Sequence, residues 1–220
     1  MSRRIAILIS GRGRNLQALV EACADGRIEG RIVLVLSNRA DAAGLQFARQ
    51  RGIETAVLSH REFADRAAYD RSLMAVLDRR APDLVVLAGF MRILTPEFVA
   101  HYRGRLLNIH PSLLPRYPGL DTHRRALEAG DAEHGATVHF VTEDLDGGPA
   151  IVQGKLNVQA QDTEASLADR VMTEIELKIY PQAIAWIARG DIALDAAGVH
   201  FRGRHLQAPL GLDDIEDAFR

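Results

Sequence analysis

Cysteine is almost absent from this chain of 220 residues, in which Cys23 is the single example. One cysteine cannot form a disulfide within the chain, so a small secreted fold held together by disulfides is excluded. We therefore expect the protein to work in a reducing cytoplasm. Because Cys23 lies in an apolar helical stretch, we expect its side chain to contribute to packing.

Long apolar runs and an excess of charge are missing as well. The apolar runs, such as residues 5–9 and 32–36, are far too short to span a bilayer. Residues 1–4 precede a run that is too short for a secretory signal. The 27 basic and 29 acidic side chains give a formal net charge of −2 with histidine neutral. This balance argues against a nucleic acid or a membrane as the partner.

The sequence also lacks the usual patterns of metal ligands. Its eight histidines show neither an H-E-x-x-H pattern nor paired Cys/His spacing. No third ligand lies close in sequence to His134 and His139, so we expect no protein-bound metal ion. His139 alternates with apolar residues in a predicted strand, which favours a structural role. Ser112 lacks a Gly-x-Ser-x-Gly elbow, which argues against a serine hydrolase.

Short apolar strands alternate along the chain with amphipathic helical stretches. Strands without polar alternation are predicted at residues 5–9, 32–36 and 84–88, as expected for a sheet that is covered on both faces. The length suits one α/β domain. We predict a Rossmann-like, mostly parallel twisted sheet with helices on both faces, in a single domain of residues 1–205. Residues 206–220 are acidic and poor in pattern, and we expect a loosely ordered tail.

Residues 10–15, Ser-Gly-Arg-Gly-Arg-Asn, connect the first predicted strand to a helix. Glycines let backbone N–H groups approach an oxyanion, and the N-terminus of the helix adds the positive end of a dipole. The third glycine of a dinucleotide fingerprint is absent, so we expect a monophosphate rather than a pyrophosphate. The alternative is a plain turn with an asparagine cap.

Polar side chains follow the predicted strand at residues 106–110. Asn108 and His110 are two residues apart, so they project from one face of the strand at its carboxyl end. An amide can hold an oxygen that gains negative charge, and an imidazole can hold or move a proton near neutral pH. Alternatively, both residues merely finish the strand and bind backbone. Further along, residues 144–149 place Asp146 before two glycines and a proline, which permits a tight loop.

Together these two segments resemble the formyltransferase family that uses 10-formyltetrahydrofolate. The match includes Asn-Ile-His-Pro-Ser-Leu-Leu-Pro at residues 108–115 and Leu-Asp-Gly-Gly at residues 145–148. The resemblance implies that Asn108, His110 and Asp146 are catalytic. It is strongest to the branch of purine biosynthesis, which transfers the formyl group of the folate to the amine of glycinamide ribonucleotide.

The same resemblance assigns ligand contacts in two halves of the domain. Residues 1–100 would form the nucleotide-phosphate-binding half, and residues 101–205 the folate-binding and catalytic half. The implied nucleotide contacts are Gly11, Gly13, Arg14, Asn15, Arg66 and Glu176. The implied folate contacts are Met91, Arg92, Ile93, Leu94, Asn108, Val141 and Asp144.

The chain departs from the family pattern at a few places. Arg14 replaces a serine, while Asp121 and Leu177 each replace a histidine. The spacing from Arg170 to Glu176 is one residue longer. The loop at residues 111–122, rich in proline, follows the catalytic pair, and we expect it to cover the site and exclude water.

Three other functions stay open at this level. A methionyl-tRNA formyltransferase would carry a further C-terminal domain, for which we expect no room. A formyltetrahydrofolate hydrolase would add an N-terminal regulatory domain before the first strand. A non-catalytic nucleotide-binding module would need only residues 10–15. We expect small-molecule substrates and a monomer or weak homodimer.

Overall fold

The computed structural model describes residues 2–220 and divides into two compact units, the first ending at Asn108 and the second running from Ile109 to Arg220. The elements of the first unit alternate between strand and helix. They are β1 (Arg3–Ile9), α1 (Arg14–Ala24), β2 (Gly30–Ser37), α2 (Ala43–Gln50), β3 (Thr55–Val57), α3 (Arg66–Asp78), β4 (Leu84–Leu87) and α4 (Pro96–His101), followed by β5 (Leu106–His110), which crosses the boundary.

Every strand pair of the first unit is parallel. β1 pairs with β2 on one side and with β4 on the other, β2 pairs with β3, and β4 pairs with β5. Residues 5–9 of β1 are at most 1% exposed, because helices cover both faces of a parallel sheet. The pairing sets Leu87 opposite Asn108, so the polar end of β5 lies at the carboxyl edge of the sheet.

The second unit adds an antiparallel hairpin and a long helical run. Its elements are α5 (Thr122–Ala129), β6 (Glu133–Phe140), β7 (Ala150–Asn157), α6 (Glu164–Arg170), a π-helical segment π1 (Val171–Glu176), α7 (Leu177–Arg189), β8 (Ile192–Asp195), β9 (Gly198–Phe201) and β10 (Arg204–His205). β6 and β7 are antiparallel, and β8, β9 and β10 form a separate antiparallel sheet. The main sheet has seven strands in the order β3-β2-β1-β4-β5-β6-β7. The predicted mostly parallel α/β sheet is confirmed.

Threonine side chains cap the starts of α4 and α6. The Thr95 hydroxyl accepts the N–H of Phe98, and Pro96 occupies the first position of α4. The Thr163 hydroxyl accepts the N–H of Ser166, whose own hydroxyl accepts the N–H of Thr163 in return. Such reciprocal bonds satisfy donors that the first turn of a helix leaves open.

The helical run from α6 to α7 changes its winding before its proline. Pro181 predicts a kink or restart, and α7 begins at Leu177, four residues earlier. Pro181 has no N–H to donate to the Leu177 carbonyl, but this loss falls just after the first turn of α7, where few intrahelical bonds have begun. Between the two α-helices, π1 holds Val171, Ile175 and Glu176 in buried positions.

The C-terminal residues differ from the expected loose tail, because they pack onto the second unit. The Leu210 N–H donates to the Ile151 carbonyl at 2.9 Å, and the Leu210 carbonyl accepts the Gln153 N–H at 2.8 Å. Ile215 and Phe219 are 3% and 4% exposed. Apolar anchors that are few and irregularly spaced fix this segment, which explains why it shows no periodic pattern.

Within the described residues, none of the helices combines the length and the apolar character that a bilayer crossing requires.

Candidate active site

His110, the last residue of β5, meets Asp146 from the loop between β6 and β7. The Nδ1 atom of His110 lies 3.4 Å from Oδ2 of Asp146, and His110 is only 6% exposed. Asn108 stands two residues earlier on the same strand and is partly exposed. Within the second unit, the structure therefore brings an imidazole and a carboxylate together, and Asn108 precedes the imidazole by two residues on β5.

A strained turn fixes the position of Asp146. Its φ of 52° lies in the left-handed region, which a residue with a side chain rarely adopts. A Cβ on Gly148 would lie 1.8 Å from the Phe140 carbonyl oxygen, so only glycine fits there. The Asp146 Oδ2 atom also accepts the N–H of Gly119 at 2.9 Å. The tight loop that residues 144–149 predict is present, and it holds the Asp146 carboxylate beside His110.

The loop after β5 returns to His110. The Nε2–H of His110 donates to the Tyr117 carbonyl at 2.8 Å, which fixes the proton on Nε2 because a carbonyl can only accept. Nδ1 is thereby directed at Asp146. A proton on Nδ1 would make the ring cationic, and the adjacent carboxylate would stabilise that charge. The Tyr117 hydroxyl donates to Asp131 at 2.8 Å and holds the loop from its other side.

His139 lies on the opposite side of the same carboxylate. Its Nδ1–H donates to the Phe140 carbonyl at 3.0 Å, as a structural histidine would. Its Nε2 atom is 3.9 Å from Oδ1 of Asp146. Burial lowers the pKa of His139 and keeps the ring neutral. The alternation along β6 predicts that this side chain points inward, but it cannot identify the carboxylate that the side chain faces.

A second histidine pair adjoins this group, and no sequence motif predicts it. Nε2 of His134 and Nδ1 of His123 are 3.1 Å apart. Burial, together with the other rings, lowers the pKa of His123 to about 4, and burial lowers the pKa of His134 in the same direction. A single proton between two nitrogens makes this contact favourable only when at least one ring is neutral.

The glycine loop before α1 has the shape of an anion site. Gly13 has a φ of 78° and serves as the N-cap of α1, and within the described chain no side chain caps the helix there. A Cβ on Gly13 would lie 3.1 Å from the Cα of Gly44, so the close approach of these turns requires glycine. Asn15 is the second residue of the helix, so it does not provide the asparagine cap of the alternative interpretation. A cavity of about 180 Å³ adjoins the loop and is lined by Ser10, Gly11, Arg12, Arg39, Asp41, Ala42 and Ala43.

The remaining predicted contacts lie on both units. Arg66 is the first residue of α3 and is exposed. In the segment after β4, Met91 and Ile93 are 69% and 58% exposed, while Arg92 is half-buried with its guanidinium carbon 5.0 Å from the centre of the Tyr69 ring. Leu94 completes this segment.

On the second unit, Val141 follows β6 and is half-buried, while Asp144 is exposed and its carbonyl accepts the N–H of Gly147. Glu176 ends π1 and is 5% exposed. Burial, assisted by the Glu176 charge, raises the pKa of Tyr180. Among residues 2–220, no group of three or more His, Cys, Asp or Glu side chains is arranged to hold a metal ion.

Comparison with known proteins identifies relatives over nearly the whole chain. The sequence profile of the Formyl transferase family matches residues 3–184. Phosphoribosylglycinamide formyltransferase of Escherichia coli (strain K12) is 55% identical over 202 residues, which cover 92% of this chain and 95% of the relative. The enzyme of the same name from Haemophilus influenzae is 45% identical over 204 residues, covering 93% and 96%. The structure of the phosphoribosylglycinamide formyltransferase of Coxiella burnetii aligns with a TM-score of 0.91 and 45% identity, covering 96% of this chain and 99% of that one.

Proposed function

Because the chain belongs to the formyl transferase family, we propose that Asn108, His110 and Asp146 form its catalytic centre. The reaction is the transfer of the formyl group of 10-formyltetrahydrofolate to the amine of glycinamide ribonucleotide in purine biosynthesis. The products are N-formylglycinamide ribonucleotide and tetrahydrofolate. The observation that supports the residue assignment is the distance of 3.4 Å between His110 Nδ1 and Asp146 Oδ2. The side-chain amide of Asn108 precedes His110 by two residues at the end of β5.

Asn108 and His110 stabilise the negative charge that develops on the formyl oxygen. As the amine nitrogen attacks the formyl carbon, the C=O electrons move onto that oxygen, and N–H donors directed at it lower the barrier. One such donor typically contributes about 3–4 kcal/mol. The 3.4 Å separation of His110 Nδ1 from Asp146 exceeds the 2.7–2.9 Å of a usual charge-assisted hydrogen bond. A proton on Nδ1 therefore forms only a weak hydrogen bond with Asp146, and Nδ1 can also donate to the substrate oxygen.

Asp146 directs the proton that the amine loses. The new C–N bond leaves an extra proton on the amine nitrogen, and the bond from the formyl carbon to N10 of the folate breaks only when N10 accepts a proton. A carboxylate held by the Gly119 N–H can take the first proton and return it to N10 through water. The reaction so described needs no protein-bound metal ion, since the amide, imidazole and carboxylate supply the charge stabilisation and the proton transfer.

The two substrates use separate segments. Backbone groups at Gly11, Gly13, Arg14 and Asn15 bind the nucleotide phosphate, with Arg66 as a second contact, and Glu176 binds the ribose or the amine. The folate pteridine lies on Met91, Arg92, Ile93 and Leu94, with Asn108, Val141 and Asp144 completing its contacts. The exposed side chains of Met91 and Ile93 suit a flat, partly apolar ring system.

Single substitutions of the three catalytic residues test the assignment. We expect Asn108→Ala, His110→Ala and Asp146→Ala each to lower kcat by roughly 10²–10³-fold, the effect of removing a group that acts on the developing charge. His205→Ala, which removes an exposed histidine from β10, is the matched control and should turn over like the wild type. Near-normal turnover in one of the three variants would remove that residue from the mechanism.

Release of deformylated folate, followed by absorbance, separates this function from its alternatives. We expect release only when glycinamide ribonucleotide is present. Release without the nucleotide would indicate a formyltetrahydrofolate hydrolase, and the absence of release under both conditions would indicate a binding module.

We further propose a cytoplasmic monomer or weak homodimer. The near absence of cysteine supports a reducing compartment. Sedimentation velocity at micromolar protein concentration tests the second part, and a stable higher oligomer would contradict it.

A further inference from the structure

Ser10 holds the segment after β4 through two hydrogen bonds. Its backbone N–H donates to the Gly89 carbonyl at 3.1 Å, and its hydroxyl oxygen accepts the Met91 N–H at 2.8 Å. Ser10 follows β1 directly and precedes the glycine loop. One residue therefore joins the start of the phosphate loop to the start of the proposed folate segment.

A buried amide fixes the orientation of the Ser10 hydroxyl. The hydroxyl donates to Oδ1 of Asn38 at 2.6 Å, and Nδ2 of Asn38 lies 3.5 Å from Nδ1 of His60. Ser10 and Asn38 are each 5% exposed. Because the hydroxyl proton points at Asn38, a lone pair of the oxygen is left facing the Met91 N–H. Water has little access to replace these bonds.

Phe90 is buried just before the proposed folate segment, but the apolar side chains of Met91 and Ile93 are largely exposed. Met91 and Ile93 expose 69% and 58% of their surface, so their side chains do not anchor the backbone in the core. Gly89 has a φ of 76° and nothing within 4 Å of the position where a Cβ would stand. The backbone around Met91 is therefore held by the buried Phe90 side chain and by hydrogen bonds, of which Ser10 supplies those to Gly89 and Met91.

We propose that Ser10 is a positioning residue for the folate co-substrate, with Asn38 orienting its hydroxyl. The inference rests on the proposed function, in which the segment around Met91 binds the pteridine. Ser10 acts on the folate through the Met91 backbone, whereas the nucleotide phosphate is bound by the loop from Gly11 onward. Loss of the hydroxyl should therefore affect the two substrates unequally.

Steady-state kinetics with each substrate varied in turn measure this difference. We expect Ser10→Ala to raise the KM for 10-formyltetrahydrofolate roughly 5–10-fold, the equivalent of one lost hydrogen bond, and the KM for glycinamide ribonucleotide by less than about twofold. Ser10→Thr keeps the hydroxyl and should restore most of the folate affinity. Ser37→Ala is the control, because it removes another buried hydroxyl, which accepts the Arg39 N–H at 3.0 Å and has no bond to residues 89–91.

Equal loss of affinity for both substrates, or no rescue by Ser10→Thr, would overturn the inference. If Ser10→Ala fails to fold, Asn38→Ala removes the acceptor of the hydroxyl proton and should raise the folate KM by roughly 2–5-fold. An unchanged folate KM in that variant would also count against the inference.

Calorimetric titration with tetrahydrofolate separates this inference from the proposed function. A wild type that transfers formyl groups, together with a Ser10→Ala variant of unchanged folate affinity, would refute the inference alone. A wild type that binds tetrahydrofolate without transferring formyl groups would refute the function, and the affinity of Ser10→Ala would still decide the role of Ser10. A wild type that does not bind tetrahydrofolate would refute both.

Discussion

At the scale of single residues, backbone groups define the chemistry of His110 and Asp146. The Tyr117 carbonyl accepts a hydrogen bond from the Nε2–H of His110, and the Gly119 N–H donates one to the carboxylate of Asp146. Neither partner can be read from residue identity, because any amino acid supplies a carbonyl, and all but proline supply an N–H. The sequence motifs therefore predict which side chains meet, while the groups that orient them emerge only from the path of the chain.

Three histidines, of which His134 and His139 are buried and His123 is half-buried, should make the protein less stable in mild acid. Burial lowers the pKa of His123 to about 4, and it lowers the pKa of His134 and His139 although Asp131 and Asp146 act in the opposite direction. An unfolded histidine titrates near 6.5. Between about pH 4 and 6.5 the unfolded state therefore binds more protons, so the free energy of unfolding rises with pH, and these groups contribute nothing further above that window.

Urea unfolding at intervals from pH 4.5 to 7.5 checks this expectation. His123→Gln cannot take up the proton and should have a shallower dependence of unfolding free energy on pH than the wild type. Gln50→Ala, at an exposed residue of α2, changes no titratable group; it is the control and should keep the wild-type slope. An identical slope in the wild type and His123→Gln would contradict the assignment.

At the scale of elements, the threonine caps of α4 and α6 can be predicted from the sequence, because each joins residues that are only three positions apart. We expect Thr163→Ala to lower the free energy of unfolding by about 1 kcal/mol, since it removes the acceptor that α6 provides for its first turn. Urea unfolding measures the loss, and Thr163→Ser, which keeps the hydroxyl, should lose much less. Equal losses in both variants would indicate that the methyl group, rather than the cap, stabilises this end.

The loop between β5 and α5 contacts Asp146 through Gly119. Its φ of 80° is strained for any residue with a Cβ, and its N–H binds Asp146. We expect Gly119→Ala to lower kcat roughly 5–10-fold through a weakened hydrogen bond to the carboxylate. Steady-state assays provide the measurement.

Gly203→Ala provides the matched control for that loop. Gly203 has a φ of 76°, with open space where a Cβ would stand, so the backbone strain is similar but lies in the connection between β9 and β10. We expect it to lose stability while keeping kcat. A similar fall of kcat in both variants would show that strain alone, rather than the bond to Asp146, causes the effect.

The π1 segment coincides with a departure from the family pattern in the spacing of two residues. The resemblance implies a spacing from Arg170 to Glu176 that is one residue longer than the family pattern, and this interval coincides with π1 at Val171–Glu176. A π turn holds one residue more than an α turn, so the extra residue is absorbed without unwinding the helix. Helical periodicity over this run is interrupted for the same reason, and a pattern of period 3.6 cannot reveal the change.

At the scale of the whole molecule, the sheet was predictable and the C-terminal segment was not. The strands of the parallel part carry continuous apolar runs, which identify them from composition alone. The segment after β10 is instead held by a few dispersed contacts, such as the indole N–H of Trp186, which donates to Glu216 at 3.2 Å. Contacts of this kind depend on where the chain returns, and local sequence does not specify that.

The packing of that segment should contribute measurably to the free energy of unfolding. We expect Phe219→Ala to lower the free energy of unfolding by about 3 kcal/mol, because a side chain only 4% exposed leaves a cavity when it is truncated. Urea unfolding measures this change. Asp217→Ala, at a side chain that is 95% exposed, should have little effect, and a Phe219→Ala variant as stable as the wild type would indicate that the segment is loose.

The single thiol also has a practical consequence for spectroscopy. Burial raises the pKa of Cys23 to about 12, so only a minute fraction is thiolate at neutral pH and alkylating reagents find little to attack. A cysteine introduced at an exposed position such as Leu120, which is 70% exposed, would then be the main site of reaction with a maleimide dye. The native chain is thus a ready background for fluorescence measurements of loop motion during turnover, without prior removal of its own sulfhydryl.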